Sequence, residues 1–322
     1  MIFAIGSAAD GTFVHLLPAL RRSGPVIVLD MVQLFLEGGY VLGDGQARAS
    51  CLRLDGTSYE VVPEDGFWLR MPGLSEGAPD PVTGCHVDRF QGGLSRAFTR
   101  SGRRVVNPPF AEPSNYSKAA HLVAMASSSG LSCPKTLLTN SREEAAAFID
   151  QLDGRVIYKG VSSQKTWARA WKGGDDDRLD LIGAVPALFQ ELVRGPDVRV
   201  HTAGSGVHAE MIESEDVDYR TSSRNRYSRT ACPPEVRDAC LKLSRAVGAP
   251  LLGVDFKIAE DGRWVFLEAN SMPCFQGYDV RAGGRISADL VAYLREGSPG
   301  ENLTERSSRW AEASSPCGGR TM

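Results

Sequence analysis

The hydrophobic and polar positions along the chain predict a protein that mixes helices and strands and begins with a small α/β domain. Continuous apolar runs at residues 1–5 and 26–30 flank a helical pattern at 14–20. Such runs are typical of strands that are buried on both faces of a parallel sheet and connected by helices. We therefore expect an α/β domain over residues 1–106, ended by the turn chemistry of Asn107-Pro108-Pro109.

Strands and helices follow one another less regularly beyond residue 107. Strand patterns occupy 133–138, 156–160, 188–193, 197–202 and 207–212. Helical patterns occupy 115–129, the segment after the capping box that begins at Ser141, 233–248 and 286–294. The polar stretch from 161 to 180 predicts a flexible loop, and the tail at 297–322 has so little to bury that we expect it to be disordered.

Residues 253–270 carry a strong alternation and predict a β-hairpin. The Asp261-Gly262 pair predicts a two-residue type I′ loop, which places Ile258 opposite Val265. Alternation then divides the side chains between two faces. The face predicted to be buried is apolar: Val254, Phe256, Ile258, Val265, Leu267 and Ala269. The other face carries Asp255, Lys257, Trp264, Phe266, Glu268 and Asn270.

The same register places the carboxylates of Asp255 and Glu268 directly opposite each other. Because two such carboxylates repel, a cation is expected between them. Asn270 adds a third oxygen, and the hairpin contains no Cys or His, so the set favours Mg²⁺ over Zn²⁺. The alternative is a surface hairpin whose acids are solvated.

Composition and charge narrow the classes of function. A net charge of -3 argues against a general nucleic-acid binder, and no apolar run approaches the roughly 20 residues that span a membrane. The N-terminus lacks the basic region of a signal peptide. Seven scattered Cys without a CxxC pair suggest reduced thiols, so we expect a cytoplasmic protein.

Several polar positions are candidates for binding a nucleotide. Lys159 ends a strand and precedes a Ser-rich loop containing Ser163, whose amides could close over a phosphate. Glu191-Leu192-Val193 could meet an adenine edge, and Asp197 could bond a ribose. The alternatives are a solvated lysine and an ordinary strand and turn.

Two further clusters carry candidate chemistry. Arg220, Arg224, Arg226 and Arg229 lie in one polar segment and suit phosphate or carboxylate, although a solvated surface is the alternative. His201 and His208 are predicted to face each other across a hairpin. Two ligands do not make a zinc site, so we expect a structural role for this pair.

The order of these motifs resembles the ATP-grasp superfamily, and its RimK-like ligases and peptide maturases in particular. The resemblance covers about residues 60–295. It rests on Lys118, Lys159, Gln190-Glu191-Leu192-Val193, Asp197-Val198-Arg199, Gly253-Val254-Asp255 and Phe266-Leu267-Glu268-Ala269-Asn270, with Trp68-Leu69-Arg70, Asn107-Pro108-Pro109 and Asp218-Tyr219-Arg220 similar to elements of the maturases.

The resemblance implies an α+β ATP-grasp fold that holds the nucleotide between two α+β subdomains, at 107–190 with a phosphate lid and at 191–296 with a metal site. It implies a ligase that joins a carboxylate to an amine through an acyl phosphate, with ATP and Mg²⁺ as cofactors and Mn²⁺ as an alternative metal. The implied nucleotide contacts are Lys118, Lys159, Ser163, Glu191, Leu192, Val193 and Asp197. The implied metal ligands are Asp255, Glu268 and Asn270, and the implied catalytic cations are Arg199 and Arg220.

The residues after the hairpin, Ser271 to Gly277, resemble free-standing amino-acid or peptide ligases instead of the maturases. The expected substrate is therefore either a side chain of a precursor peptide or a small amino acid or peptide. A phosphotransferase and a nucleotide-binding module without turnover are the alternative functions. Cys274 is assigned to packing, because an acyl phosphate route needs no thiol. No nucleic-acid or membrane partner is expected, and the sequence does not indicate an oligomeric state.

Overall fold

The computed structural model describes residues 1–41, 50–62, 64–70, 80–86, 89, 104–108, 130–161 and 168–296. Within these residues the strands form four sheets. No helix in this part of the chain has both the length and the apolar character needed to cross a membrane. Three predictions fall outside the described residues: the helix at 115–129, most of the Ser-rich loop after Lys159, and the tail at 297–322.

The N-terminal region is an α/β unit, as the apolar runs predict. Its elements are β1 (Ile2–Gly6), α1 (Gly11–Arg22), β2 (Val26–Asp30), α2 (Met31–Leu36), β3 (Gly39–Val41), β4 (Ser50–Leu54), β5 (Thr57–Val61), β6 (Gly66–Leu69) and β7 (Arg104–Val106). A parallel sheet has the order β2-β1-β6-β7, and β3-β4-β5 form a small antiparallel sheet. The prediction that 26–30 is buried on both faces is wrong: β2 is an edge strand, and Val28 remains 38% exposed.

The central region is an antiparallel sheet with one helix. Its elements are β8 (Thr136–Thr139), α3 (Arg142–Gln151), β9 (Val156–Gly160), β10 (Arg169–Ala170) and β11 (Ala187–Glu191), and the sheet order is β10-β9-β11-β8. Ser141 caps α3, since its Oγ accepts a hydrogen bond from the Glu144 N–H at 3.2 Å. A 3₁₀ helix at Asp176–Leu181 occupies part of the segment predicted to be loop.

The C-terminal region holds the predicted hairpins in one five-stranded antiparallel sheet. Its elements are β12 (Asp197–Ala203), β13 (Gly206–Glu213), β14 (Arg226–Arg229), α4 (Pro234–Ala246), β15 (Leu251–Ile258), β16 (Trp264–Asn270), α5 (Gln276–Arg281) and α6 (Arg285–Glu296), and the order is β14-β13-β12-β15-β16. Helix α4 buries its apolar side against one face of this sheet. The polar residues of the opposite face are therefore available for the site.

The loop of the β15–β16 hairpin differs from its prediction. The Gly262 N–H bonds to Ala259 O at 2.8 Å and the Ala259 N–H to Arg263 O at 2.9 Å, which makes a three-residue loop. Only Gly262 has a positive φ there, so the predicted type I′ turn is wrong. The longer loop pairs Ile258 with Trp264 instead of Val265.

A β-bulge then restores the predicted pairing of the two acids. The register shifts by one residue between Asp255 and Phe256, because Leu267 is the extra residue of β16. Asp255 consequently lies opposite Glu268, as predicted. The predicted faces are wrong from Trp264 to Leu267. Trp264 and Phe266 pair with Ile258 and Phe256 and pack in the core, Val265 pairs with Lys257, and Leu267 lines a cavity.

The N-terminal unit is fastened to the C-terminal sheet by a shared apolar cluster and by polar bonds. The side-chain amide of Asn107 donates to Leu251 O and Ser271 O, and its Oδ1 accepts from the Leu251 N–H at 3.0 Å. Arg70 donates to Asp10 Oδ2 at 2.8 Å and to Pro273 O at 3.1 Å. Both side chains are buried, so these contacts fix the end of the β15–β16 hairpin relative to the first sheet. The predicted domain boundaries stay predictions.

Candidate active site

One cavity between the central and C-terminal sheets collects most of the residues that the sequence singled out. Predicted site residues that line it are Lys159, Glu191, Leu192, Val193, Asp197, Arg220, Asp255 and Glu268. Lining residues outside the predicted set are Ile157, Ala168, Gln190, Val217, Asp218, Tyr219, Lys257 and Leu267. Arg199 and Asn270 are not among the lining residues, and Lys118 and Ser163 lie outside the described ones.

The two facing carboxylates are surrounded by cations. Arg199 Nη1 lies 2.7 Å from Asp255 Oδ2. Glu268 lies 3.9 Å from Lys159 Nζ and 3.8 Å from Arg220 Nη1. Burial raises the pKa of Asp255, and the charge of Glu268 raises it further, against the opposing effect of Arg199. Part of the positive charge expected between the acids is thus supplied by side chains.

Asp255 has a second oxygen that is not satisfied. Its Oδ1 is buried and has no hydrogen-bond partner among the described residues. Such an atom fits a cation that the protein would bind between Asp255 and Glu268. In the part of the chain described, no three His, Cys, Asp or Glu residues gather as a metal centre, so the third protein ligand would have to be an amide such as Asn270. The oxygen-only donor set fits Mg²⁺.

Asn270 follows Glu268 on the same strand and pairs with Gly253 across the hairpin. Its Oδ1 accepts a hydrogen bond from the Met272 N–H at 2.8 Å. The next residue, Ser271, carries one of the carbonyls that Asn107 holds. Asn270 is therefore oriented by its own turn, and that turn is anchored to the N-terminal unit.

Arg220 is held at the cavity by a forked ion pair. Its Nε and Nη2 donate to the two oxygens of Asp218 at 2.8 and 2.7 Å. Burial acts to raise the pKa of Asp218, but the hydrogen bonds and charge of Arg220 outweigh it and keep the pKa below its ordinary value. The remaining Nη1 lies 3.8 Å from Glu268 Oε1, so the guanidinium faces both carboxylates.

Arg199, the other predicted catalytic cation, contacts one of the two facing carboxylates. Its side chain is almost fully buried and donates to Asp255, and its Nε lies 3.5 Å from His201 Nε2. The guanidinium fills the space that a side chain at Gly253 would need, since a Cβ there would lie 2.0 Å from Nη2. Arg199 thus contacts Asp255 and is not among the residues that line the cavity.

Asp197 and Lys257 form a second ion pair in the cavity wall. Lys257 Nζ lies 2.9 Å from Asp197 Oδ2 and also donates to Gly195 O at 3.2 Å. Burial raises the pKa of Asp197 to about 6 despite the attraction of Lys257. Lys257 was not assigned to the site from the sequence, although alternation placed it on the same face as Asp255.

The remaining polar candidates have structural partners. His201 faces His208 across β12 and β13, as predicted. Burial and the charge of Arg199 hold the pKa of His201 well below its ordinary value, and His208 pairs with Asp289 at 2.6 Å, so each has a role without zinc. The packing role expected for Cys274 is wrong: the thiol is exposed, at the rim of an open cavity, with Sγ 3.6 Å from Arg70 Nη2.

A family model for the RimK-like ATP-grasp domain matches residues 114–294. The chain belongs to this family. A solved structure of the ATP-grasp ligase PsnB, in complex with a phosphomimetic variant of its minimal precursor, Mg and ADP, superposes with a TM-score of 0.77. It is 27% identical and covers 91% of this chain and 98% of that chain.

Two curated relatives of this RimK-like chain are also ligases or synthases by name. The alpha-aminoadipate–LysW ligase LysX of Sulfurisphaera tokodaii is 28% identical over 55% of this chain and 66% of its own length. The human N-acetylaspartylglutamate synthase A is 24% identical over 83% of this chain and 67% of its own length. The chain thus spans about two thirds of each relative. The predicted family, the ATP-grasp fold and the enzyme class, an ATP-grasp ligase, are confirmed.

Proposed function

We propose that this RimK-like protein uses ATP to activate a carboxylate of a peptide as an acyl phosphate and then joins that carboxylate to an amine. The likeness to PsnB, which is solved with a precursor, Mg and ADP, supports a peptide substrate. The observation that carries the proposal is the buried, unpartnered Oδ1 of Asp255 opposite Glu268, at a cavity that Lys159 and Arg220 also line.

The metal end of the cavity suits phosphoryl transfer. Asp255, Glu268 and Asn270 would hold Mg²⁺, which, when bound, neutralises charge on the transferred phosphoryl group. Lys159 and Arg220 each approach Glu268 within 4.0 Å, so both cations lie where phosphate oxygens would be held. Arg199 contacts the Asp255 carboxylate at 2.7 Å and orients it. Lys118 and Ser163 remain proposed phosphate contacts outside the described residues.

The other end of the cavity suits a nucleoside. The N–H groups of Glu191 and Leu192 already bond to Lys135 O and Arg155 O, each at 2.9 Å. Among the described residues no acceptor takes the N–H of Val193, which makes it the proposed donor to the adenine edge. Asp197, held by Lys257, is the proposed partner of the ribose hydroxyls.

An acyl phosphate can be trapped with hydroxylamine, and this tests the reaction. The probe is a pool of synthetic peptides that each carry one Asp or Glu, incubated with ATP, Mg²⁺ and hydroxylamine. We expect ADP and peptide hydroxamates from the wild type. Arg220→Ala should slow hydroxamate formation roughly 10²–10³-fold, by analogy with loss of an oxyanion donor. Arg220→Lys should not restore the rate, because lysine lacks the planar fork that binds Asp218 and phosphate together.

Arg226→Ala is the matched control, since Arg226 lies in the same segment with its side chain 86% exposed. It should react like the wild type. Asp255→Asn, Glu268→Gln and EDTA should each abolish ADP formation. The proposal is wrong if Arg220→Ala forms hydroxamate at the wild-type rate or if EDTA has no effect. A stable phosphopeptide without hydroxamate would indicate a phosphotransferase, and the absence of ADP with every peptide would indicate a module without turnover.

A further inference from the structure

Gln190 lies near the end of β11 and carries an unsatisfied acceptor in the wall of the nucleotide cavity. Its side chain is nearly inaccessible, with 1% relative exposure. Its Oε1 is buried and has no hydrogen-bond partner among the described residues. Because buried amide oxygens are almost always bonded, an unpartnered one in a cavity wall points to a ligand that supplies a donor.

Neighbouring hydrogen bonds fix which way the Gln190 amide faces. Its Nε2 lies 3.1 Å from Thr136 Oγ1. The Thr136 hydroxyl in turn donates to Pro134 O at 3.0 Å, and that carbonyl can only accept. The hydroxyl oxygen is therefore left to accept, which requires the NH₂ of Gln190 on that side. The carbonyl oxygen of the amide is the group that remains for a ligand.

The surroundings of Gln190 suit a flat heteroaromatic ring. Ile157 lies opposite Gln190 in the sheet and lines the same cavity. Leu267 lines the cavity from the facing sheet, where the β-bulge has turned it. The cavity thus has an apolar side chain on each of two sheets, with an acceptor at Gln190 and a donor at the Val193 N–H.

We propose that Gln190 Oε1 accepts a hydrogen bond from the exocyclic amine of adenine and is the side chain that selects ATP over 6-oxopurine nucleotides. The inference rests on the proposed function, which places ATP in this cavity. Adenine offers a donor at position 6, whereas guanine and hypoxanthine offer a carbonyl oxygen that would face Oε1. Two acceptors in contact without a hydrogen leave both unsatisfied, so such nucleotides are rejected.

A thermodynamic cycle isolates this contact. Wild type and Gln190→Met are titrated with ATP, with purine riboside triphosphate, which lacks the amine, and with inosine triphosphate, by calorimetry in Mg²⁺ without peptide. For the wild type we expect ATP to bind roughly 10-fold more tightly than purine riboside triphosphate, and inosine triphosphate to bind more weakly still. Gln190→Met should weaken ATP by a similar factor and leave purine riboside triphosphate unchanged, so the preference disappears.

Gln151→Met, at an exposed glutamine at the end of α3, is the matched control and should keep the wild-type preferences. Equal weakening of ATP and purine riboside triphosphate by Gln190→Met would overturn the inference, because it would mean a purely structural role. A wild type that binds both equally would overturn it without any variant. If the wild type binds none of the three nucleotides, the proposed function is overturned as well. If it binds them without preferring ATP, only this inference is overturned.

Discussion

At the scale of single residues, two buried carboxylates in the cavity wall each form an ion pair with one neighbouring cation. Asp197 relies on Lys257, and Asp255 relies on Arg199. Removing a carboxylate from water penalises its charged form, and a single cation offsets only part of that penalty. Asp197 is therefore costly to keep ionised at neutral pH.

The raised pKa of Asp197 predicts that the free energy of unfolding depends on pH. Because the folded protein holds the proton up to about pH 6 and the unfolded chain does not, this residue's contribution to stability is full below about pH 4 and is lost as the pH rises through about 6. The free energy of unfolding of the wild type should thus fall relative to Asp197→Asn, by at most about 3 kcal/mol, between pH 4 and pH 7. Urea unfolding across that range measures the difference.

The exposed Asp177 provides the control, since Asp177→Asn should show no such trend. A difference between wild type and Asp197→Asn that stays constant with pH, or that grows as pH rises, would contradict the raised pKa.

At the scale of elements, the register of the β15–β16 hairpin depends on a bulge that the alternation of side chains does not reveal. Alternation predicts Phe266 on the cavity face and Leu267 in the core, and the structure has them reversed. The extra residue shifts the register by one position, so the residues of β16 that precede it, Trp264 to Phe266, lie on the face opposite to the predicted one. The prediction that Asp255 lies opposite Glu268 is correct because two errors compensate. The loop is one residue longer than predicted, and the bulge shifts the register back by one residue.

Substitutions of Phe266 and Leu267 test which of the two side chains lies in the core. Phe266→Ala should cost about 3 to 5 kcal/mol of stability, because it empties a fully buried site beside Phe256. Leu267→Ala should leave the melting temperature almost unchanged and weaken ATP binding roughly fivefold to tenfold, since it removes apolar contact from the cavity. Thermal unfolding and calorimetric ATP titration measure the two effects. Without the bulge the two variants would exchange their results.

At the scale of the whole molecule, the β15–β16 hairpin is held by hydrogen bonds from a residue that is distant in the sequence. Asn107 bonds to Leu251 at one end of β15 and to Ser271 just after β16. These bonds span sequence separations of 144 and 164 residues. The hairpin and the opposition of its two acids could be predicted, because alternation is a local feature of the sequence. The Asn107 anchor, the Lys257 ion pair and the unpartnered oxygen of Gln190 could not, because they exist only once distant segments pack.

The Asn107 hydrogen bonds predict that two substitutions of this residue destabilise the protein to different extents. Asn107→Ala should lower stability by about 2 to 4 kcal/mol, because it leaves three buried backbone groups without a partner. Asn107→Asp should be worse at neutral pH despite its equal size, because a carboxylate would face two carbonyl oxygens. Chemical unfolding measures both, with the same changes at the exposed Asn140 as controls. Equal or reversed effects would mean that the amide does not make these bonds.

The absence of a side chain at Gly253 links this position to Arg199. The Arg199 guanidinium fills the volume in which any side chain at 253 would begin, and the same guanidinium neutralises Asp255. A side chain at 253 would therefore force the Arg199 guanidinium to move away from Asp255, and replacing Arg199 would remove the same counter-charge. A substitution at 253 therefore acts on Asp255 through Arg199, so positions 199 and 253 do not vary independently of each other.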